Sequence, residues 1–293
     1  MALGLHGLIL AAPLTVCLVV LGKYVPEMEF IQVLMGDEPV LETDVSYYQR
    51  LLARDQDEAG EIVEGYLKEH SREDLYDAVL VPALTYVRRD RERDRATEDD
   101  EEFALRATRE IAEEIAPLGT TTGVGDAAPV EESFASGRKV LVIGCPARGE
   151  ADKLALLMFR RLLESMRCEI EVLSPEMLSA EIVAAVEERD AAVVCIAALP
   201  PGGLAQRRYL CKRLRQRLPD LRILVGRWGL RGNAEENRAL LLAAGADAVG
   251  TTLLESRTQL SQTLQLIPPA PSVAVPDPDP SVAQIGREAV SPA

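Results

Sequence analysis

Hydrophobic and polar positions alternate with three different rhythms along the chain. From Met1 to Gly22 the sequence is apolar, with no charged side chain when His6 is neutral. In a helix at about 1.5 Å per residue this stretch reaches roughly 33 Å, enough to cross a hydrocarbon core. It predicts a transmembrane helix over residues 1–24 and a juxtamembrane segment over 25–42. A cleaved signal would need a basic residue before the apolar run and a small-x-small site after it, and both are missing between Met1 and Lys23. That sets a signal peptide, or a buried helix, behind a spanning one. The tetrad Leu14-Thr15-Val16-Cys17 imitates a lipoprotein cleavage box, but Val16 is too large for the position before a modified cysteine.

From Thr43 to Pro117 apolar residues recur at helical spacing, as in Ile62, Val63, Tyr66 and Leu67, then Leu75, Ala78 and Val79. An all-α helical bundle is predicted over 43–117. Ser71 with Asp74 three residues later marks a helix start of the capping-box kind, and Pro82 is expected to bend or break the helix at that point. Residues 118–137 are small, polar and glycine-rich, as a flexible linker would be. Gly123-x-Gly125 there imitates a dinucleotide fingerprint, but it precedes the first strand instead of joining a strand to a helix, so no dinucleotide cofactor is expected there.

After Arg138 short apolar runs alternate with helical patterns: Val140–Ile143, Ile170–Leu173, Ala191–Ala198, Ile223–Val225 and Ala248–Thr251 are each followed by a helix. Those helices are expected over 150–167, 179–189, 204–218, 234–244 and 253–264, with Asn233 capping the fourth. Fully apolar runs separated by helices mean a parallel sheet covered on both faces. The fold class is therefore one transmembrane helix, then a helical bundle, then an α/β flavodoxin-like, doubly wound, five-stranded parallel sheet over 138–265. The tail 266–293 carries seven of the 18 prolines and little else apolar, which predicts disorder.

Charge separates the same regions. Residues 1–137 hold 12 basic and 29 acidic side chains, residues 138–265 hold 19 and 15, and the tail holds 1 and 3, giving −15 overall. An acidic chain without a reading motif is a poor partner for nucleic acid, and none is expected. Lys23, Arg50 and Arg54 follow the apolar helix and no basic side chain precedes it, so everything after Lys23 is expected on the cytoplasmic side of a cell inner membrane. Five unpaired cysteines fit that reducing compartment. Both histidines, His6 and His70, lie before the alternating region, which excludes a histidine-rich metal site or a serine–histidine–aspartate triad within it. Cys145, with no histidine as base, is expected to be unreactive. The mixed run Arg88–Arg95 and the acids after it read as solvated helix and loop.

The segment over 204–218 carries Arg207, Arg208, Lys212, Arg213, Arg215 and Arg217 with no acid. A solvated face is the first reading; anionic lipid headgroups, or the acidic first half of the chain, are the partners such a face would suit.

Two resemblances add to this. The pattern Gly7-Leu8-Ile9-Leu10-Ala11-Ala12-Pro13-Leu14-Thr15, continued by Leu34-Met35-Gly36-Asp37-Glu38-Pro39 and Tyr47-Tyr48-Gln49-Arg50, resembles the last membrane helix and cytoplasmic extension of the autoinducer-2 exporter-type permeases. It implies a carboxyl-terminal piece of such a permease. One helix encloses no path for a solute, so this stretch alone is not expected to transport; further permease helices or a homo-oligomer would complete it. The alternative is a single-pass anchored sensor or interaction module. The bundle helix Leu75-Tyr76-Asp77-Ala78-Val79-Leu80-Val81-Pro82-Ala83-Leu84 and the alternating region together resemble the two-part cobalamin-binding module. In that family an Asp-x-His-x-x-Gly loop after the first strand supplies a histidine to cobalt. Carried over, its positions fall on Glu150, Asp152 and Ala155; the Ser-x-Leu after the third strand falls on Ala197 and Leu199; the Gly-Gly after the fourth falls on Gly226 and Arg227. An aspartate offers no neutral nitrogen, and Arg227 is expected to fill space needed by the nucleotide tail. The resemblance implies the fold; the altered positions imply a chain with no cofactor, no metal and no enzymatic activity.

Overall fold

The computed structural model describes residues 42–115 and 139–267. The expected membrane helix, the linker and the tail beyond Ile267 lie outside them, while Leu266, expected in the tail, ends a helix; no helix among the described residues is long and apolar enough to cross a membrane. The chain divides into two compact units after Thr108.

The first unit is helical: α1 (Thr43–Leu52), α2 (Gln56–Leu67), the short α3 (Arg72–Leu75), one π-helical turn (Tyr76–Leu80), α4 (Val81–Glu92) and α5 (Glu98–Glu114), the last running past the division. Local chemistry starts several of them. Asp55 accepts from the amide of Glu58, and Ser71 accepts from the amide of Asp74, as its spacing predicts. Thr97 and Asp100 form a reciprocal pair at the head of α5, Asp100 accepting from the Thr97 amide at 3.0 Å and Thr97 Oγ1 from the Asp100 amide at 3.2 Å. Pro82 does not break the helix. It sits in the first turn of α4, directly after the widened π turn. A proline ring collides with the carbonyl four residues back, and a local π turn is one way the ladder relieves that. The buried residues Tyr47, Leu51, Val63, Leu75, Val79, Leu80, Leu84 and Val87 make its core. Asp44, buried too, accepts from Tyr86 Oη at 2.8 Å.

The second unit is a sheet of five parallel strands: β1 (Val140–Pro146), β2 (Cys168–Val172), β3 (Val193–Ala197), β4 (Arg222–Gly226) and β5 (Ala248–Gly250), in the order β2-β1-β3-β4-β5. Helices α6 (Glu150–Leu162), α7 (Ser179–Glu188), α8 (Leu204–Arg217), α9 (Ala234–Leu242) and α10 (Leu253–Leu266) alternate with them. That order is the flavodoxin-like one. The central strand β3 is buried at every residue, the reason its run is continuously apolar rather than alternating. Ile143, Val194, Ile196, Ile223 and Val225 share one face of the sheet with buried side chains of α7, α8 and α9, including Val186, Leu210, Leu214 and Leu241. On the opposite face Gly144 leaves room for Leu156 of α6.

One expected cap fails. Asn233 lies in the left-handed region at φ 48° and makes no side-chain cap to α9. Asparagine tolerates that conformation better than most residues, so the position serves the turn instead of the helix amides.

Candidate functional site

In a doubly wound sheet the place for a ligand is beyond the carboxyl ends of the strands. Here that end is occupied by the protein's own side chains. The row Ala197, Gly226 and Gly250 lies at one register level across β3, β4 and β5. Three small residues side by side on one face leave a trough, because their side chains project little or nothing from the pleat. Trp228 fills it. The indole is fully buried and folds back over Gly226, where a Cβ would collide with it. Its Nε1 donates to Ser256 Oγ of α10 at 2.8 Å, and Ser256 in turn occupies the space that a Cβ on Gly250 would take. Phe159 of α6 closes the other side, with ring centroids 5.2 Å apart.

Asp152 lies in the first turn of α6 and is fully buried. One carboxylate oxygen accepts from the Arg148 amide at 2.8 Å, the other from the Leu199 amide at 2.9 Å. The side chain thus ties the loop after β1 to the loop after β3 through two charge-assisted hydrogen bonds to backbone amides. The second loop is held from three further directions. Arg227 Nη1 donates to the carbonyls of Ala198 at 2.9 Å and Gly202 at 3.2 Å, Arg207 Nη1 to Gly202 at 2.6 Å, and Arg148 Nη1 to Pro201 at 3.3 Å. Gly203, at φ 72°, is packed against the Arg207 guanidinium so closely that a Cβ would collide with it.

Of the residues carried over from the cobalamin-binding module, Asp152, Leu199 and Arg227 meet in this lock, while Ala197 and Gly226 form the trough beside it. Ala155 is buried in α6, and Glu150 stands at the helix start with Lys153 3.2 Å away. Arg227 reaches to the loop after β3, and the space over Gly226 is taken by Trp228. One correction concerns α8. Arg207 is buried, and Arg215 donates to Gly245, Leu221 and Asp247, so neither is a solvated cation available to a lipid headgroup. The sequence reading passed over Trp228, Phe159 and Ser256. The available signal was the chain's single tryptophan directly after Gly226-Arg227.

Cobalamin does not fit this arrangement. Asp152 presents two oxygens, both already accepting amide protons, where a neutral nitrogen is required, and the trough beside Gly226 holds an indole. Reactive groups are scarce as well. Burial pushes the Cys145 thiol up to about 12, with the neighbouring Cys211 adding to it, and burial likewise raises Cys195 and Cys211. A thiol held protonated is neither nucleophile nor metal ligand. Among the described residues no group of three or more His, Cys, Asp or Glu side chains is placed to hold a metal.

No family model matches the chain, and no curated protein matches it. Solved structures similar to it include a cobalamin-binding protein from Desulfitobacterium hafniense DCB-2, 15% identical over 76% of this chain and 98% of that one, with a TM-score of 0.36. Another is the methanol:cobalamin methyltransferase complex of Methanosarcina barkeri, 13% identical over 78% and 81%, TM-score 0.34. A LuxR-family two-component response regulator from Aurantimonas sp. SI85-9A1 is 17% identical over 43% and 86%, TM-score 0.33.

Proposed function

We propose that the described part of this chain is a regulatory module that works without a cofactor, as the cytoplasmic extension of a membrane permease similar to the autoinducer-2 exporter family. The observation that carries the cofactor-free reading is the closed carboxyl end of the sheet. Trp228 occupies the trough over Gly226 and Gly250, and Asp152 spends both oxygens on loop amides. A domain that keeps the flavodoxin-like frame while filling its ligand end has its outer surfaces left for function. The permease part of the proposal rests on the apolar run Met1–Gly22 and on the motifs that come after it in the sequence.

The test uses the full chain expressed in a bacterial cell. It should stay with the membranes through carbonate extraction, and a reporter active only in the cytoplasm, fused after Ala293, should be active. Recovery of the intact chain in the soluble fraction would end the anchoring reading, and periplasmic reporter activity would reverse the orientation.

A further inference from the structure

We propose that the outward stripe of α8 docks on an anionic lipid surface, through Arg208, Lys212 and Arg213 around Tyr209. The proposal rests on the membrane-anchored reading above and deepens it by naming the surface that lies against the bilayer.

The structure sorts the six basic residues of α8 into two sets. Arg207 and Arg215 turn inward and hold loop carbonyls. Arg217 pairs with Glu187 of α7 at 2.9 Å. That leaves the exposed Lys212 and the half-buried Arg208 and Arg213, none of which has a carboxylate partner among the described residues. Arg208 and Lys212 are four residues apart, as are Tyr209 and Arg213, so the four lie along one side of the helix. Tyr209 is 54% exposed, a large exposure for an aromatic ring, and Arg213 lies over it, 5.6 Å from guanidinium carbon to ring centroid. Arg213 Nη1 also donates to Tyr209 Oη at 3.3 Å. An amphipathic aromatic ring beside cations without carboxylate partners suits the headgroup layer, where the ring meets the acyl boundary and the cations meet phosphate. Glu187, which lines the groove beside Arg213, is already paired with Arg217.

The shape favours a lipid surface over an acidic peptide. The groove beside the stripe, lined by Ala180, Val183, Ala184 and Arg213, also contains the Glu187–Arg217 pair. A peptide entering it would have to displace that pair, whereas a bilayer rests on the outward stripe without doing so. Tethering at residues 1–24 would make the contact intramolecular, so a few cations suffice.

The experiment uses the full chain with Cys17→Ser and Gln216→Cys, labelled at the new thiol with an environment-sensitive fluorophore. The other four cysteines are buried, so the label goes to one place. Gln216 is exposed and continues the stripe one turn beyond Lys212. The chain is reconstituted into vesicles of phosphatidylcholine alone and of an equimolar phosphatidylcholine–phosphatidylglycerol mixture. A blue-shifted emission is expected only in the anionic vesicles, reversed by high salt. Each basic residue near such a surface strengthens the contact about fivefold, so Arg208→Gln with Lys212→Gln and Arg213→Gln should weaken docking about a hundredfold. Emission independent of lipid charge, or unchanged in the triple variant, overturns the proposal. A shift produced by soluble polyglutamate but not by anionic vesicles overturns it in favour of an acidic protein partner. Flotation with phosphatidylcholine vesicles reads the anchor separately, so a failed anchor and a failed docking surface are told apart.

Discussion

The carboxyl end of the sheet and the outer face of α8 belong to one fold, yet they treat charge in opposite ways. At the strand ends Asp152, Arg207 and Arg227 are almost wholly buried; both Asp152 oxygens accept from loop amides, and Nη1 of each arginine donates to loop carbonyls. On α8, Lys212 is exposed and Arg208 and Arg213 are half-buried, and none of the three has a carboxylate partner among the described residues. Burying a charge is tolerated only when hydrogen bonds replace its water, so the first region is committed to holding the protein together. An exposed cation costs the fold almost nothing and stays available to a partner. Where a flavodoxin-like domain ordinarily receives a ligand, this one invests in its own stability, and its free chemistry lies on a helix surface instead.

That contrast is broken most severely by Trp228→Ala. Removing a fully buried indole should cost about 4 kcal/mol, because the rigid row of Gly226 and Gly250 cannot collapse into the space. Trp228→Phe should cost about 1 kcal/mol beyond the lost volume by leaving Ser256 without its donor. Urea unfolding followed by circular dichroism reads both. A stability change below about 1 kcal/mol for the alanine variant would mean the trough is not part of the core.

Asp152→Ala should come next, at about 3 kcal/mol, since it strips the buried Leu199 amide and the part-buried Arg148 amide of a charged acceptor. Asp152→Asn, which keeps one oxygen, should recover roughly half of that. Equal losses for the two variants would show that the carboxylate is not bridging two loops.

Thiol reactivity sharpens the contrast without altering the fold. Burial holds Cys145 up at about 12, and Cys195 and Cys211 are raised for the same reason. All three should resist an aromatic disulfide reagent at pH 8 until denaturant is added, when they react at once. Rapid labelling of Cys145 in the native protein would reveal an opening at the strand end.

A smaller effect is expected at the head of α5. Hydrogen bonds from Thr97, with help from Arg54, hold the Asp100 carboxyl down at about 2. A carboxylate depressed in the folded state adds stability above its ordinary range, near pH 4, and loses it as pH falls toward the folded value. The melting-temperature difference between the native chain and Asp100→Asn should therefore be present at pH 6 and vanish near pH 2. A difference that persists at pH 2 would assign it to packing. The triple substitution on α8 stands at the bottom of the scale and should move stability by no more than about 0.5 kcal/mol.

Periodicity carried most of the fold. Runs such as Val140–Ile143 and Ala191–Ala198 announce strands because a parallel sheet buries both faces, and the helices between them start within a residue of where the pattern places them. Helix ends were less legible: the helix expected to reach Arg167 stops at Leu162, where no proline or glycine marks the change. The contents of the strand ends were not legible. Glu150, Asp152, Ala155, Ala197, Leu199, Gly226 and Arg227 were named only through the resemblance to the cobalamin-binding module, and only tertiary packing decides that Arg227 crosses to the loop after β3 while Trp228 turns back over Gly226. The inward turn of Arg207 and Arg215 was equally hidden, since a run of six cations in one helix does not say which of them find carbonyls.

The most direct test of the cofactor-free account is titration of the full, detergent-solubilised chain with hydroxocobalamin and with adenosylcobalamin at micromolar concentration, followed by calorimetry, corrin absorption and Trp228 emission. No heat, no spectral shift and no specific quenching of Trp228 are expected with either form. Tight binding with a shifted corrin spectrum would contradict the account, because it would require the indole to leave the trough over Gly226 and Asp152 to release the loops it holds.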